Sequence, residues 1–187
     1  MATAKSNPIQ VHPEATPNPA SMRFVVAQRF LPSGTVEFTD AAKAARSPLA
    51  QPLFALAGVK GVLIGPNFVT VTASPEANWT ALMEKIIPII QAFVAGGEPA
   101  VSGKGEASRA GLSEVEAGII RVIEEEIRPA VAMDGGDIIF GGYEKGIVSL
   151  HLRGACSGCP SSLMTLKMGI ERRLKEEFPE IVSVEAV

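Results

Sequence analysis

The chain has 187 residues, of which 47% are hydrophobic and 20% charged, and its net charge is −3. That length and composition suit one medium domain or two small ones with ordinary cores, and exclude a disordered tail protein. The acidic balance lacks the clustered Lys and Arg of a nucleic-acid surface, and no apolar run approaches the ~20 residues of a membrane span.

Residues Ile9 to Thr16 and Met22 to Gln28 predict two strands around the turn Pro17-Asn18-Pro19. Thr35 to Thr39 predicts a third short strand, Ala41 to Ala45 a helical turn, and Leu49 to Ala57 a short helix stopped by Gly58. Val59 to Ile64 and Phe68 to Ala73 flank Gly65-Pro66-Asn67, which predicts a hairpin. Ser74-Pro75 has the chemistry of a helix cap and first position. The helix it predicts runs to about Val94, kinked at Pro88 and ended by Gly96-Gly97. Residues 9–95 thus make one small α+β domain.

Residues 96–111 hold Gly, Ala, Ser, Pro and charge, with Val101 as the only large aliphatic. Such a segment predicts a flexible linker with an end-to-end span of ~20–24 Å, and loosely coupled halves.

Residues 112–187 form the second domain. Ser113 and Glu116 fit a capping box. Val115, Ile119, Val122, Ile123 and Ile127 make the apolar stripe of the helix that follows, which Pro129 bends or ends. After the turn Met133-Asp134-Gly135-Gly136-Asp137 come two strands, Asp137 to Tyr143 and Ile147 to Arg153, joined by Glu144-Lys145-Gly146. A second helix carries Leu163, Leu166, Ile170, Leu174 and Phe178 at helical spacing, and Pro179 stops it. Ile181 to Val187 closes the chain as a strand. The order is α-β-β-α-β, so the fold class is α+β, with two small two-layer domains joined by a linker.

Between the second strand and the last helix lies Gly154-Ala155-Cys156-Ser157-Gly158-Cys159-Pro160, which holds the only two cysteines of the protein. Pro160 suits a first helical position, which makes Cys159 the expected cap. A thiolate there is stabilised by free backbone N–H groups and the helix dipole. Gly154 and Gly158 permit turns tight enough to aim both sulfurs one way. Cys156 and Cys159 are therefore candidate metal ligands, the alternative being a buried structural pair, which needs neither glycines nor a helix terminus.

Two thiols at this spacing can share a metal, cycle as a disulfide, or supply half of a four-thiolate site. A mononuclear zinc site within one chain lacks ligands, since His12 lies in the other domain and His151 sits on the polar face of a strand. A cluster needs about four thiolates, and two copies related by a two-fold axis provide them. Such a site is shallow and suits a carrier better than an electron-transfer protein. Zinc between two copies is a third possibility.

These motifs, Met133 to Asp137 followed by Gly154 to Ser162, resemble the C-terminal domain of the NifU/Nfu family of iron–sulfur cluster scaffolds and carriers. The first half is similar to the N-terminal domain of two-domain members at Glu14-Ala15-Thr16-Pro17-Asn18-Pro19, Ser47-Pro48-Leu49-Ala50 and Gly65-Pro66-Asn67-Phe68-Val69-Thr70-Val71. The resemblance implies a [4Fe-4S] cluster bridging a homodimer through Cys156 and Cys159, upstream assembly proteins as donors, and delivery to apo iron–sulfur client proteins. It implies no enzymatic activity. With no signal pattern or presequence in the first residues, bacterial cytoplasm is expected, and the mitochondrial matrix is the alternative. The competing function is a thiol–disulfide oxidoreductase. Against it, the motif follows a hairpin rather than the first strand of a larger βαβ sheet, and the single Trp79 lies in the other half. No paired carboxylates, Ser/His/Asp set or phosphate loop points to a hydrolase or nucleotide-binding protein.

Overall fold

A computed structural model describes residues 9–101, 112–157 and 160–187. Among them are two sheets, each with helices on one face.

The first sheet has five strands in the order β1-β2-β5-β4-β3, all antiparallel. They are β1 (Val11–Ala15), β2 (Ser21–Val26), β3 (Val36–Phe38), β4 (Val59–Ile64) and β5 (Phe68–Ala73). Alternation along each strand sends Phe24, Val26, Phe38, Val62, Ile64, Val69 and Val71 to one face. There they meet Leu49, Ala50 and Leu53 around α2 (Ala50–Phe54), and Leu82, Ile86 and Ile90 of α3 (Trp79–Gly96). Helix α1 (Ala41–Ala44) adds Ala44 to this core.

Two expectations change here. Helix α3 starts at Trp79 rather than Pro75, with Asn78 as its cap, accepting from the Ala81 N–H. The Ala77 N–H bonds the Ser74 carbonyl, so Ser74-Pro75 forms a turn. Asn78 remains extended and only then does the helix begin. Helix α3 is also long and apolar enough to cross a membrane by length and composition. Its buried stripe instead packs on the first sheet.

The second sheet is β6-β7-β8, with β6 (Gly136–Glu144) and β7 (Ile147–Gly154) antiparallel and β8 (Ser183–Ala186) parallel to β7. The β6–β7 turn uses Lys145 and Gly146, both with positive φ, as a tight hairpin turn of the primed type requires. Helix α4 (Glu114–Val122) opens with the expected capping box. The chain does not stop at Pro129. A π turn over Ile123–Ile127 bonds the Arg128 N–H to the Ile123 carbonyl, five residues back. That shift places Pro129 in the first turn of α5 (Arg128–Met133), where a proline has no bond to lose. Helix α6 (Pro160–Glu177) packs Ile170 and Leu174 against Ile119, Val122, Ile138, Val148 and Leu150.

Most of the expected linker, 102–111, lies outside the described residues. At its start, Ala100 is buried and its carbonyl accepts from the Ser47 hydroxyl. The expectation of loosely coupled halves meets a specific contact. The face of the first sheet that carries no helix rests against the end of the β6–β7 hairpin. Leu63 and Thr70 point to that face, and both are fully covered.

Candidate metal centre

The cysteine loop leaves the end of β7 at Gly154, whose φ is +60°. Beside it in the sheet is Gly136, the first residue of β6. The loop is closed locally by the Ala155 N–H bonding the Gly135 carbonyl, the Cys156 N–H bonding the Arg153 carbonyl, and the Ser157 hydroxyl bonding the Gly154 carbonyl.

Cys156 is buried and belongs to the core of the second domain. Its Sγ lies against Gly136, and a Cβ on that glycine would sit 2.3 Å from the sulfur. Gly136 is thus needed for close approach. Gly136→Ala is expected to lose about 1–3 kcal/mol of stability through overpacking, read as a lower urea midpoint.

Cys159 and its expected role as helix cap lie outside the described residues. Pro160 does open α6, as expected. His151 is exposed, its Nδ1 3.2 Å from the Val187 carbonyl oxygen, and His12 is exposed on β1. Among the described residues no three His, Cys, Asp or Glu side chains converge on a point that could hold a metal ion.

Family comparison accounts for both halves. Residues 119–185 match the family described as the NifU-like domain, and residues 10–97 match the family described as the Nfu/NifU scaffold protein N terminus. The chain belongs to the NifU/Nfu family. It is 43% identical over 181 residues to the human NFU1 iron-sulfur cluster scaffold homolog, mitochondrial, covering 95% of this chain and 71% of that one. It is 40% identical over 183 residues to the NifU-like protein 5, mitochondrial, of Arabidopsis thaliana, covering 94% of this chain and 66% of that one. A solved NifU-like protein from Saccharomyces cerevisiae is 24% identical and covers 56% of this chain and 93% of that chain, at a TM-score of 0.47. The curated relatives carry a mitochondrial location in their names, so the expectation of bacterial cytoplasm finds no support among them.

The acidic turn Met133 to Asp137, for which the sequence offers no chemistry, has structural partners that the sequence did not name. Asp137 is buried and takes two hydrogen bonds from Arg128, at 2.8 Å each from Nε and Nη2. It takes a third from the Thr35 hydroxyl of the first domain, at 2.5 Å. Asp137 raises the basicity of the Arg128 guanidinium. The turn thereby ties α5, β6 and the first domain together beside the loop. A signal was present in the sequence, since an aspartate that enters a strand between glycine and isoleucine needs a buried partner.

The surroundings of Cys156 disfavour its thiolate. Burial, then the negative charges of Asp134 and Asp137, push its thiol up from an ordinary 9.0 to about 11. A thiol this basic stays largely protonated near neutral pH and is a poor attacking nucleophile in this geometry.

The same shift predicts a pH dependence. A folded-state value above the unfolded one contributes stability that is fully present below pH 9.0 and lost as pH rises through about 11. Urea midpoints are expected to fall across that window by more in the wild type than in Cys156→Ser.

Proposed function

We propose that the protein is a non-enzymatic carrier whose cargo is a [4Fe-4S] cluster. The cluster is held between two copies of the chain by Cys156 and Cys159 of each, and is handed on to apo iron–sulfur proteins. One observation carries this reading. A chain whose relatives are named iron-sulfur cluster scaffolds has one CxxC pair and no other thiol. Four thiolates therefore require two copies.

Cys156 fits that cargo only after a rearrangement. Cys156 must turn out of its pocket against Gly136 and lose its proton, since ligation needs the thiolate and metal binding releases protons. Upstream cluster assembly proteins then load the pair. The first domain has no cysteine and is left to recognise the proteins that receive the cargo. The relatives' names support a mitochondrial matrix location over bacterial cytoplasm.

The decisive experiment is anaerobic reconstitution with iron and sulfide, followed by metal and sulfide analysis and native mass. About four irons and four sulfides per dimer are expected, with dimerisation dependent on the cluster. A monomer free of iron that carries a Cys156–Cys159 disulfide would overturn the proposal. So would a dimer that holds only zinc and takes up no iron or sulfide.

A further inference from the structure

On the helix-free face of the first sheet, one row of side chains crosses all five strands. Strand register aligns Glu14 of β1 with Arg23 of β2, Arg23 with Thr70 of β5, Thr70 with Leu63 of β4, and Leu63 with Glu37 of β3. Gly154 to Ser157 of the cysteine loop and the acidic turn rest along this row. We infer that the row is a seat that latches the cysteine loop with the Cys156 thiol turned inward, and that cargo exchange requires the two domains to separate. This rests on the carrier function proposed above.

The latch is made of directed contacts on both sides of Cys156. Asn18, in the turn after β1, donates from Nδ2 to the carbonyl of Ala155 at 3.1 Å and to that of Ser157 at 3.3 Å. These carbonyls flank the cysteine on either side. The Gly154 N–H donates to Glu37 Oε1 at 2.7 Å, and Thr35 donates to Asp137.

The fit is close. A Cβ on Gly154 would meet Leu63 Cδ2 at 2.6 Å, and one on Gly135 would meet Thr70 Oγ1 at 2.9 Å and Thr16 Cγ2 at 3.1 Å. Side chains on these two glycines would hold the domains apart. In the seated loop, Cys156 faces the core of its own domain, and its two flanking carbonyls face Asn18. A sulfur held this way cannot reach a ligand shared with a second chain.

The seat is also built to release. Arg23 Nε and Thr70 Oγ1 are buried with no hydrogen-bond partner among the described residues. Both regain water when the domains part, which offsets the hydrogen bonds given up. A contact with such a balance is a two-position element that a cargo or partner can bias.

The test reads Cys156 alone, without iron. In the full apo chain carrying Cys159→Ser, the rate of alkylation by iodoacetamide is followed by intact mass. Asn18→Asp keeps the Oδ1 that accepts from the Ala20 N–H. It replaces the donor with an oxygen that faces two carbonyls. The rate is expected to rise about tenfold or more, as loss of two hydrogen bonds and a new repulsion imply. Glu37→Ala should also raise it, while Glu37→Gln, which keeps an oxygen acceptor, should stay near the parent rate.

Local release leaves the rate flat in low urea. Unchanged rates in Asn18→Asp and Glu37→Ala would overturn the latch, as would an increase that climbs steeply with urea. If Asn18→Asp does not fold, the Glu37 pair decides alone. Cluster uptake is read separately, on the chain that keeps both cysteines. Faster alkylation of the variants, with no uptake by the two-cysteine chain, keeps the latch and removes the carrier, and uptake by that chain with unchanged alkylation does the reverse.

Discussion

Cys156→Ser is expected to abolish cluster binding. If two chains supply the ligands, the substitution leaves two thiolates where about four are needed. A serine hydroxyl does not ionise to replace them near neutral pH. The expected result after anaerobic reconstitution is a product without iron or sulfide that no longer dimerises on loading. The change is small in volume, so the fold should survive and circular dichroism should match the wild type. The stability change should stay near 1 kcal/mol, the order of placing a hydroxyl where a thiol packed. Cys159→Ser should give the same loss of cargo. Retention of the cluster at wild-type levels by Cys156→Ser would show that this residue is not a ligand and that its place beside Gly136 is purely structural.

The second large effect concerns Asp137. Its carboxylate is buried between the Arg128 guanidinium and the Thr35 hydroxyl. Asp137→Ala removes all three bonds and leaves Arg128 in a site where its side chain is only 22% exposed. Breaking a buried pair from one side costs about 3–5 kcal/mol because the remaining charge is uncompensated. Arg128 keeps Glu124 Oε1 at 3.7 Å and some access to water, so a loss of about 3 kcal/mol is expected. The urea midpoint of the second domain reports it. Asp137→Asn, which keeps one oxygen acceptor, should lose less. A loss below about 1 kcal/mol in Asp137→Ala would place the pair with ordinary surface ion pairs. The same variant also removes the Thr35 contact, so it should loosen the two domains as well.

Much of the fold was legible because it depends on local chemistry. The β4–β5 hairpin occupies the predicted residues, Val59–Ile64 and Phe68–Ala73. Alternating side chains and the Gly65-Pro66-Asn67 turn act over a few residues. The Ser113–Glu116 capping box is local in the same way. Errors arose where the neighbours of a local signal overrode it. Ser74-Pro75 signalled a helix start, but the Ala77 N–H closes a turn on the Ser74 carbonyl and the helix begins after Asn78. Pro129 signalled a stop, but the π turn before it moved the proline to a position that needs no N–H.

The candidate centre divides along the same line. Covalent order sets the thiol inventory, the spacing of Cys156 and Cys159, the glycines around them and the resemblance to the NifU/Nfu family. Composition and covalent order suffice for these, and from them follows the need for a second chain to complete a four-thiolate site. Which way Cys156 faces, what Asp137 binds, and the seating of the first domain on Gly154 to Ser157 emerge from the folded chain. Those depend on pairs far apart in the chain, such as Asn18 with Ala155 and Glu37 with Gly154. Strand register sets them, by bringing Arg23, Thr70, Leu63 and Glu37 into one row. No periodicity within either domain carries that information, because it arises only when two finished surfaces meet.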